Sequence, residues 1–318
     1  MKKIGILFLL LGVIGISSCD LMVIELDEPT NVVASTSYSL KVELSWDNVD
    51  NADGYNIYRA EGDYYSDPET LSYVQVGSTS DNYYEDMEVS SSSTYYYQIE
   101  AYSDDDTSPM STPVMGITVE LTVEEAFDAL AELTDGTRYT ATSATEVPTI
   151  IINIIEDNAV SNADIVFLID NTGSMWDDID EVKLATSNIM ASLPSGTRVG
   201  AAVYNDANED PTGWYDYTDL TSNYPTTTAF IDGISTYGGG DLPESVYDGI
   251  YNVVDDMSWS SSSQRFIIVI GDAPPLEGSY TTYSLDDVIS KCTSAGISVN
   301  LYPILIDPYG YKNGQPNQ

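Results

Sequence analysis

The segment Asp170-Asn171-Thr172-Gly173-Ser174-Met175 puts one carboxylate and two hydroxyls on a single tight loop. Hard oxygen donors of this kind suit Mg²⁺ or Ca²⁺, with Mn²⁺ as a third candidate. A turn closed by its own Asp and Ser/Thr side chains has the same composition, so the loop alone decides nothing. Two further segments add weight. Gly238-Gly239-Gly240-Asp241-Leu242-Pro243-Glu244 precedes a helical pattern with Val246, Ile250 and Val253, and Gly271-Asp272-Ala273-Pro274-Pro275 follows an apolar run. Both put carboxylates at strand or helix edges. Carboxylates held together without a cation repel one another or take up protons, so a bound metal is expected to raise stability.

Other chemistries lose their residues. The chain has no histidine, which removes Ser-His-Asp and Cys-His mechanisms and the usual His-containing zinc sites. Ser174 as a nucleophile would need a base, and the nearest candidate, Lys183, sits on a predicted helix facing solvent. Paired carboxylates could serve glycoside hydrolysis. A carboxylate-based hydrolase therefore stays as the alternative to a binding module, and a passive acidic surface spacer as a third reading; the expectation is a protein that is not an enzyme.

The elements that must position these residues are legible as strand, helix, strand, helix from Ala163 onward. Ile165-Val166-Phe167-Leu168-Ile169 is a continuous apolar run of strand length, as a parallel strand buried on both faces requires. Asp177 to Leu193 has helical spacing; Arg198 to Tyr204 and Arg265 to Ile270 repeat the buried-strand pattern; Leu285 to Ala295 predicts a helix and Val299 to Ile306 a last strand. This is a doubly wound, Rossmann-like α/β domain, in which ligands sit beyond the carboxyl ends of the strands.

The Asp170–Ser174 loop resembles the Asp-x-Ser/Thr-x-Ser metal-ion-dependent adhesion site of von Willebrand factor type A domains. The order and spacing of the three segments is most similar to the integrin β-subunit inserted domain and related secreted proteins, over about residues 161–307. The resemblance implies that Thr172 and Ser174 bind a divalent metal through their hydroxyls, that Asp170 and Asp272 contribute directly or through water, and that Glu244 supplies a further carboxylate. It further implies a second ion at Asp241 with Asn205 or Asp206, and a flanking Ca²⁺ at Asp177 and Asp178. The implied partner is a protein presenting an acidic residue to the metal. Glu244 departs from the threonine common in the family, adding negative charge that weakens the electrophilicity of the metal. Gln318 follows soon after Asp307, without the final helix whose displacement signals ligand binding in integrins, which leaves switching by that route open; the Thr122 to Leu133 helix is a candidate to pack in its place.

Ahead of this lies a region of closely spaced strands. Leu40-Lys41-Val42-Glu43-Leu44-Ser45-Trp46 alternates apolar and polar residues, as do Tyr95, Tyr97, Ile99 and Ala101. Tyr55–Ala60 and Tyr73–Val76 predict two more strands. With Asn31-Val32-Val33-Ala34 and Trp46, residues 28–119 resemble a fibronectin type III sandwich, in which Tyr95 would be the tyrosine-corner residue. The whole is expected to be multidomain, an all-β sandwich followed by an α/β domain. Between them, 120–160 reads as a connector: Thr122-Val123-Glu124-Glu125 has capping-box spacing ahead of a short helix, and the β-branched stretch Arg138 to Ile155 suggests an extra strand pair.

Acidic residues number 51 against 10 basic ones, a formal charge of −41. Nothing remains to neutralise phosphates, so nucleic acid is excluded as a partner. At the amino terminus Lys2 and Lys3 precede an apolar run from Ile4 to Ile16, long enough for a signal-peptide core and short for a membrane span. Ile16-Ser17-Ser18-Cys19 resembles a bacterial lipobox, implying a signal peptide over 1–18, acylation of Cys19, a lipidated linker over 19–27 and attachment to a membrane of the cell envelope. The outer membrane or cell surface is favoured over the inner membrane, although Asp20 favours inner-membrane retention in some groups. Residues 308–318 read as a tail.

Overall fold

The computed structural model describes residues 25–104, 106–239, 243–294 and 296–307. Cys19 with its signal and most of its linker, Asp241 and the 308–318 tail lie outside them. Among the described residues no helix is long and apolar enough to cross a membrane.

The first unit is a seven-stranded antiparallel sandwich: β1 (Val33–Ala34), β2 (Val42–Ser45), β3 (Gly54–Gly62), β4 (Val74–Thr79), β5 (Tyr83–Asp86), β6 (Thr94–Tyr102) and β7 (Val114–Ile117). One sheet has the order β1-β2-β5 and the other β4-β3-β6-β7. The alternation read from the sequence puts Val42, Leu44, Tyr95, Tyr97, Ile99 and Ala101 in the core with Trp46 and Tyr55. The Tyr95 hydroxyl accepts from Ser90 N at 2.8 Å, closing the turn before β6. Leu40 departs from the expected strand. It packs against the core of the second unit instead. Tyr96 points to the outer face yet is buried, because its hydroxyl reaches the Asp63 carbonyl of the loop after β3 at 3.0 Å.

The next segment opens with α1 (Val123–Glu132), held by the expected capping box between Thr122 and Glu125. The strand pair expected over Arg138 to Ile155 is not there. A short strand, β8 (Tyr139–Ala141), is followed by a helix, α2 (Val147–Asn158), with Pro148 in its first turn. Val147, Ile151, Ile154 and Ile155 are all buried at helical spacing, so one continuous apolar stripe outweighs the strand preference of the single residues.

The second unit continues through β9 (Asp164–Asp170), α3 (Trp176–Ser192), β10 (Arg198–Tyr204), β11 (Tyr215–Thr221), α4 (Tyr224–Gly233), α5 (Val246–Asp256), β12 (Arg265–Gly271), α6 (Leu285–Thr293) and β13 (Asn300–Ile306). The sheet order is β11-β10-β9-β12-β13-β8. Only β11 runs antiparallel to its neighbour. Every residue of β9 and β12 is buried, as expected for central strands covered on both faces. Ile151, Ile179 and Ile231 of α2, α3 and α4 pack on one face. Phe127, Ile250 and Val288 of α1, α5 and α6 pack on the other. The chain leaves β9 toward β10 on one side and returns to β12 on the other, which makes the carboxyl end of β9 a topological switch point.

Candidate metal centre

Asp170 is the last residue of β9 and is fully buried. Its Oδ1 accepts from the Thr172 backbone N–H at 2.8 Å, which turns the chain sharply out of the sheet. The loop then runs through a 3₁₀ turn, Gly173–Met175, into α3. Thr172 Oγ1 and Ser174 Oγ lie 3.1 Å apart, and Ser174 Oγ donates to Asp272 Oδ1 at 3.0 Å. Two segments almost a hundred residues apart are thus joined by a chain of hydroxyl and carboxylate oxygens. Thr172 is buried, while Gly173 and Ser174 are exposed, so the loop opens to solvent on one side.

Glu244 arrives from the other direction. Its backbone N–H donates to the Pro274 carbonyl at 2.9 Å and its own carbonyl accepts from Leu276 N at 2.8 Å, pinning it beside the segment that follows β12. Its side chain is buried next to Thr172. The glycine between them measures the gap: Gly239 has φ +64°, and a Cβ there would lie 2.6 Å from Thr172 Cβ and 2.9 Å from Glu244 Oε1. Only glycine fits that approach.

Beneath the cluster lies Tyr204, which pairs with Asp170 in the register of β10 against β9. Its ring is fully buried, and its hydroxyl has no hydrogen-bond partner among the described residues. Burial first, and then the charges of Asp170, Glu244 and Asp272, hold its phenol well above the ordinary range. A Cβ on Gly271 would lie 2.4 Å from that hydroxyl, so the phenol reaches the junction of β9 and β12.

These residues fit a divalent ion by the chemistry of their donors: one exposed and one buried hydroxyl in contact, with carboxylates beside them. Among the described residues no three carboxylates form a cage by themselves, so a divalent ion held here would need the hydroxyls and water as further ligands.

The secondary candidates are placed differently. Asp206 is buried and its Oδ1 accepts from Asn208 N at 2.7 Å, which is turn chemistry at the end of β10. Asn205 acts as a strut, donating to Asn171 Oδ1 at 3.3 Å and to the Tyr237 carbonyl at 2.8 Å. Asp177 and Asp178 occupy the first turn of α3, Asp178 being buried. Lys183 does not face solvent as expected. It is half-buried, and its Nζ donates to the Ile234 carbonyl at 2.7 Å. The sequence reading missed Tyr204, whose part depends on strand register, and Asp210, whose Oδ2 accepts from Gly239 N at 3.3 Å.

Residues 164–308 match the family model of the von Willebrand factor type A domain. No curated protein matches the chain. Among solved structures, domains FN1–FN3 of chicken contactin are 20% identical with a TM-score of 0.25, over 30% of this chain and 32% of theirs; the chain spans about a third of that fragment. The fn3 domain of human contactin 1 is 20% identical with a TM-score of 0.25, over 30% of this chain and 78% of that one. A Fn3-like protein from Clostridium thermocellum is 22% identical with a TM-score of 0.24, over 29% of this chain and 93% of that one. The sandwich rests on its own strand order. The α/β unit over 164–308 is thus similar to a von Willebrand factor type A domain, and a seven-stranded β-sandwich precedes it among the described residues.

Proposed function

We propose that the protein is an envelope-anchored lipoprotein that binds a partner protein through a divalent metal held by Asp170, Thr172, Ser174, Glu244 and Asp272. Type A domains are commonly protein-interaction and adhesion modules. The observation that carries the reading is the oxygen chain from Thr172 through Ser174 to Asp272, with Asp170 and Glu244 beside it, at the switch point of the sheet. Ser174 is exposed to solvent with the buried Thr172 hydroxyl 3.1 Å from its own, and Asp170 fixes the loop through the Thr172 backbone. A bound Mg²⁺, Ca²⁺ or Mn²⁺ supplies a Lewis-acidic position that an acidic residue of the partner can fill. Lys183 is committed to the Ile234 carbonyl and Ser174 to Asp272, which speaks against a Lys183-activated serine nucleophile. Acylation at Cys19, in the lipobox-like Ile16–Cys19 segment, provides the anchor, and the sandwich, a fibronectin type III-like fold by its three-plus-four strand order, serves as spacer or secondary contact.

The test is calorimetric titration of the mature chain, made soluble by Cys19→Ser, with each of the three ions. The parent is expected to bind at least one of them, and the Thr172→Ala, Ser174→Ala double variant to bind none tightly. A pull-down from envelope extract should lose its partner on addition of chelator. Equal metal binding by parent and double variant would end the proposal.

A further inference from the structure

A cleft of about 770 Å³ opens where the sandwich meets the type A domain. Its floor is apolar, formed by Pro274, Pro275 and Leu276, its edge carries the exposed Glu120 and Glu209, and buried Asp206 also lines it. The cleft is built rather than incidental. Ser91 and Ser92 of the loop before β6 donate to the two carboxylate oxygens of Glu277 at 2.6 and 2.9 Å, and Ser39 donates to Glu125 Oε2 at 3.0 Å. These bonds fix one wall against the other.

Among the described residues no lysine or arginine lines the cleft. The described basic side chains are spent elsewhere: Lys41 on Glu43 and Glu85, Arg59 on Asp86, Arg138 on Asp128, Arg198 on Asp164 and Lys291 on Asp255. Lys183 and Arg265 donate to backbone carbonyls. The acidic edge therefore meets no positive charge among the described residues. A metal ion is a poor occupant, because the described carboxylates form no three-residue group suited to one and Asp206 is already engaged by the Asn208 N–H. An apolar floor under an acidic edge matches a basic side chain whose aliphatic stem lies on the floor while its charge meets the carboxylates.

We propose that this cleft binds a basic, leucine-bearing peptide segment of a partner protein, independently of the metal. The site shares a wall with the metal centre, since Glu244 is bonded to Pro274 and Leu276 of the floor, so one partner can occupy both.

The probe is a fluorescein-labelled peptide, Leu-Lys-Pro-Leu-Lys-Gly, titrated by anisotropy against the Cys19→Ser mature chain at physiological salt with chelator present. Glu120→Gln with Glu209→Gln, both exposed, should weaken binding about fivefold or more. Glu61→Gln with Glu69→Gln, exposed on the sandwich, removes the same charge and should change it less than twofold. Replacing both leucines of the peptide by serine should also weaken it about fivefold. Equal effects of the two double variants, indifference to the leucines, or no binding by the parent would each overturn the cleft. Calorimetric Mg²⁺ titration of the same proteins reads the metal centre separately, so either site can fail without the other.

Discussion

Strand β9 carries a buried aspartate at each end, and the two live in opposite surroundings. Asp164, at the amino end, is held bidentately by Arg198, with Nε to Oδ1 at 2.9 Å and Nη2 to Oδ2 at 2.7 Å, and also accepts from Ser260 N at 2.7 Å. Asp170, at the carboxyl end, shares its neighbourhood with Glu244, Asp272 and two hydroxyls. A buried carboxylate is costly unless it is paired. At the amino end the protein supplies the counter-charge, and the result is a structural tie. At the carboxyl end it places carboxylates beside hydroxyls, the donor types that a divalent cation takes. The sandwich follows the first pattern, with buried Asp86 bonded to Arg59 at 2.8 Å and to the Tyr97 hydroxyl at 2.9 Å.

The largest effect is expected at the amino end. Arg198→Met leaves Asp164 buried without its cation and should cost about 3 kcal/mol or more of unfolding free energy. Chemical denaturation should show this loss equally in chelator and in Mg²⁺. A variant that regains its stability on adding Mg²⁺ would mean that the two ends are not functionally distinct.

Next comes the carboxyl end. Asp170→Asn keeps the oxygen that accepts from Thr172 N and removes the charge. In chelator it should unfold no earlier than the parent, because a like-charge contact has been relieved. The parent should gain about 2.7 kcal/mol at a free metal concentration a hundred times its Kd, and the variant should lose that gain. A variant destabilised in chelator as severely as Arg198→Met would identify Asp170 as another structural tie.

The same contrast explains what could be read in advance. Ile165–Ile169 and Phe266–Ile270 are legible as buried parallel strands because both faces demand apolar residues, and the Asp170–Ser174 loop stands out because its donors are local in sequence. Edge strand β11 escapes, since Tyr215–Thr221 is mostly polar and only Leu220 is fully buried. The helix α2 was hidden by its isoleucines, whose individual strand preference gave way to burial along one helical face. The acidic lining of the interdomain cleft combines Glu120 with Asp206 and Glu209 across more than eighty residues, and no local pattern announces it. Tyr204 is the sharpest case. It ends an apolar strand like any core aromatic, and only its register places it beside Asp170.

That residue supports the smallest and most discriminating prediction. A buried hydroxyl without a partner costs on the order of 1 kcal/mol or more, and the Tyr204 hydroxyl also lies in the field of three carboxylates. Tyr204→Phe removes the polar atom and keeps the ring that fills the space under Gly271 and against Gly249. In chelator the variant should therefore be more stable than the parent by up to about 1 kcal/mol. With Mg²⁺ present the field is compensated, water and ligand oxygens can satisfy the phenol, and the advantage should vanish. Paired thermal melts in chelator and in Mg²⁺ read the difference directly. An advantage of equal size in both would make Tyr204 an ordinary packing residue with a misplaced hydroxyl. A loss in both would place that hydroxyl on a hydrogen bond of the folded protein, and the carboxyl end of β9 would then resemble its amino end more closely than its composition suggests.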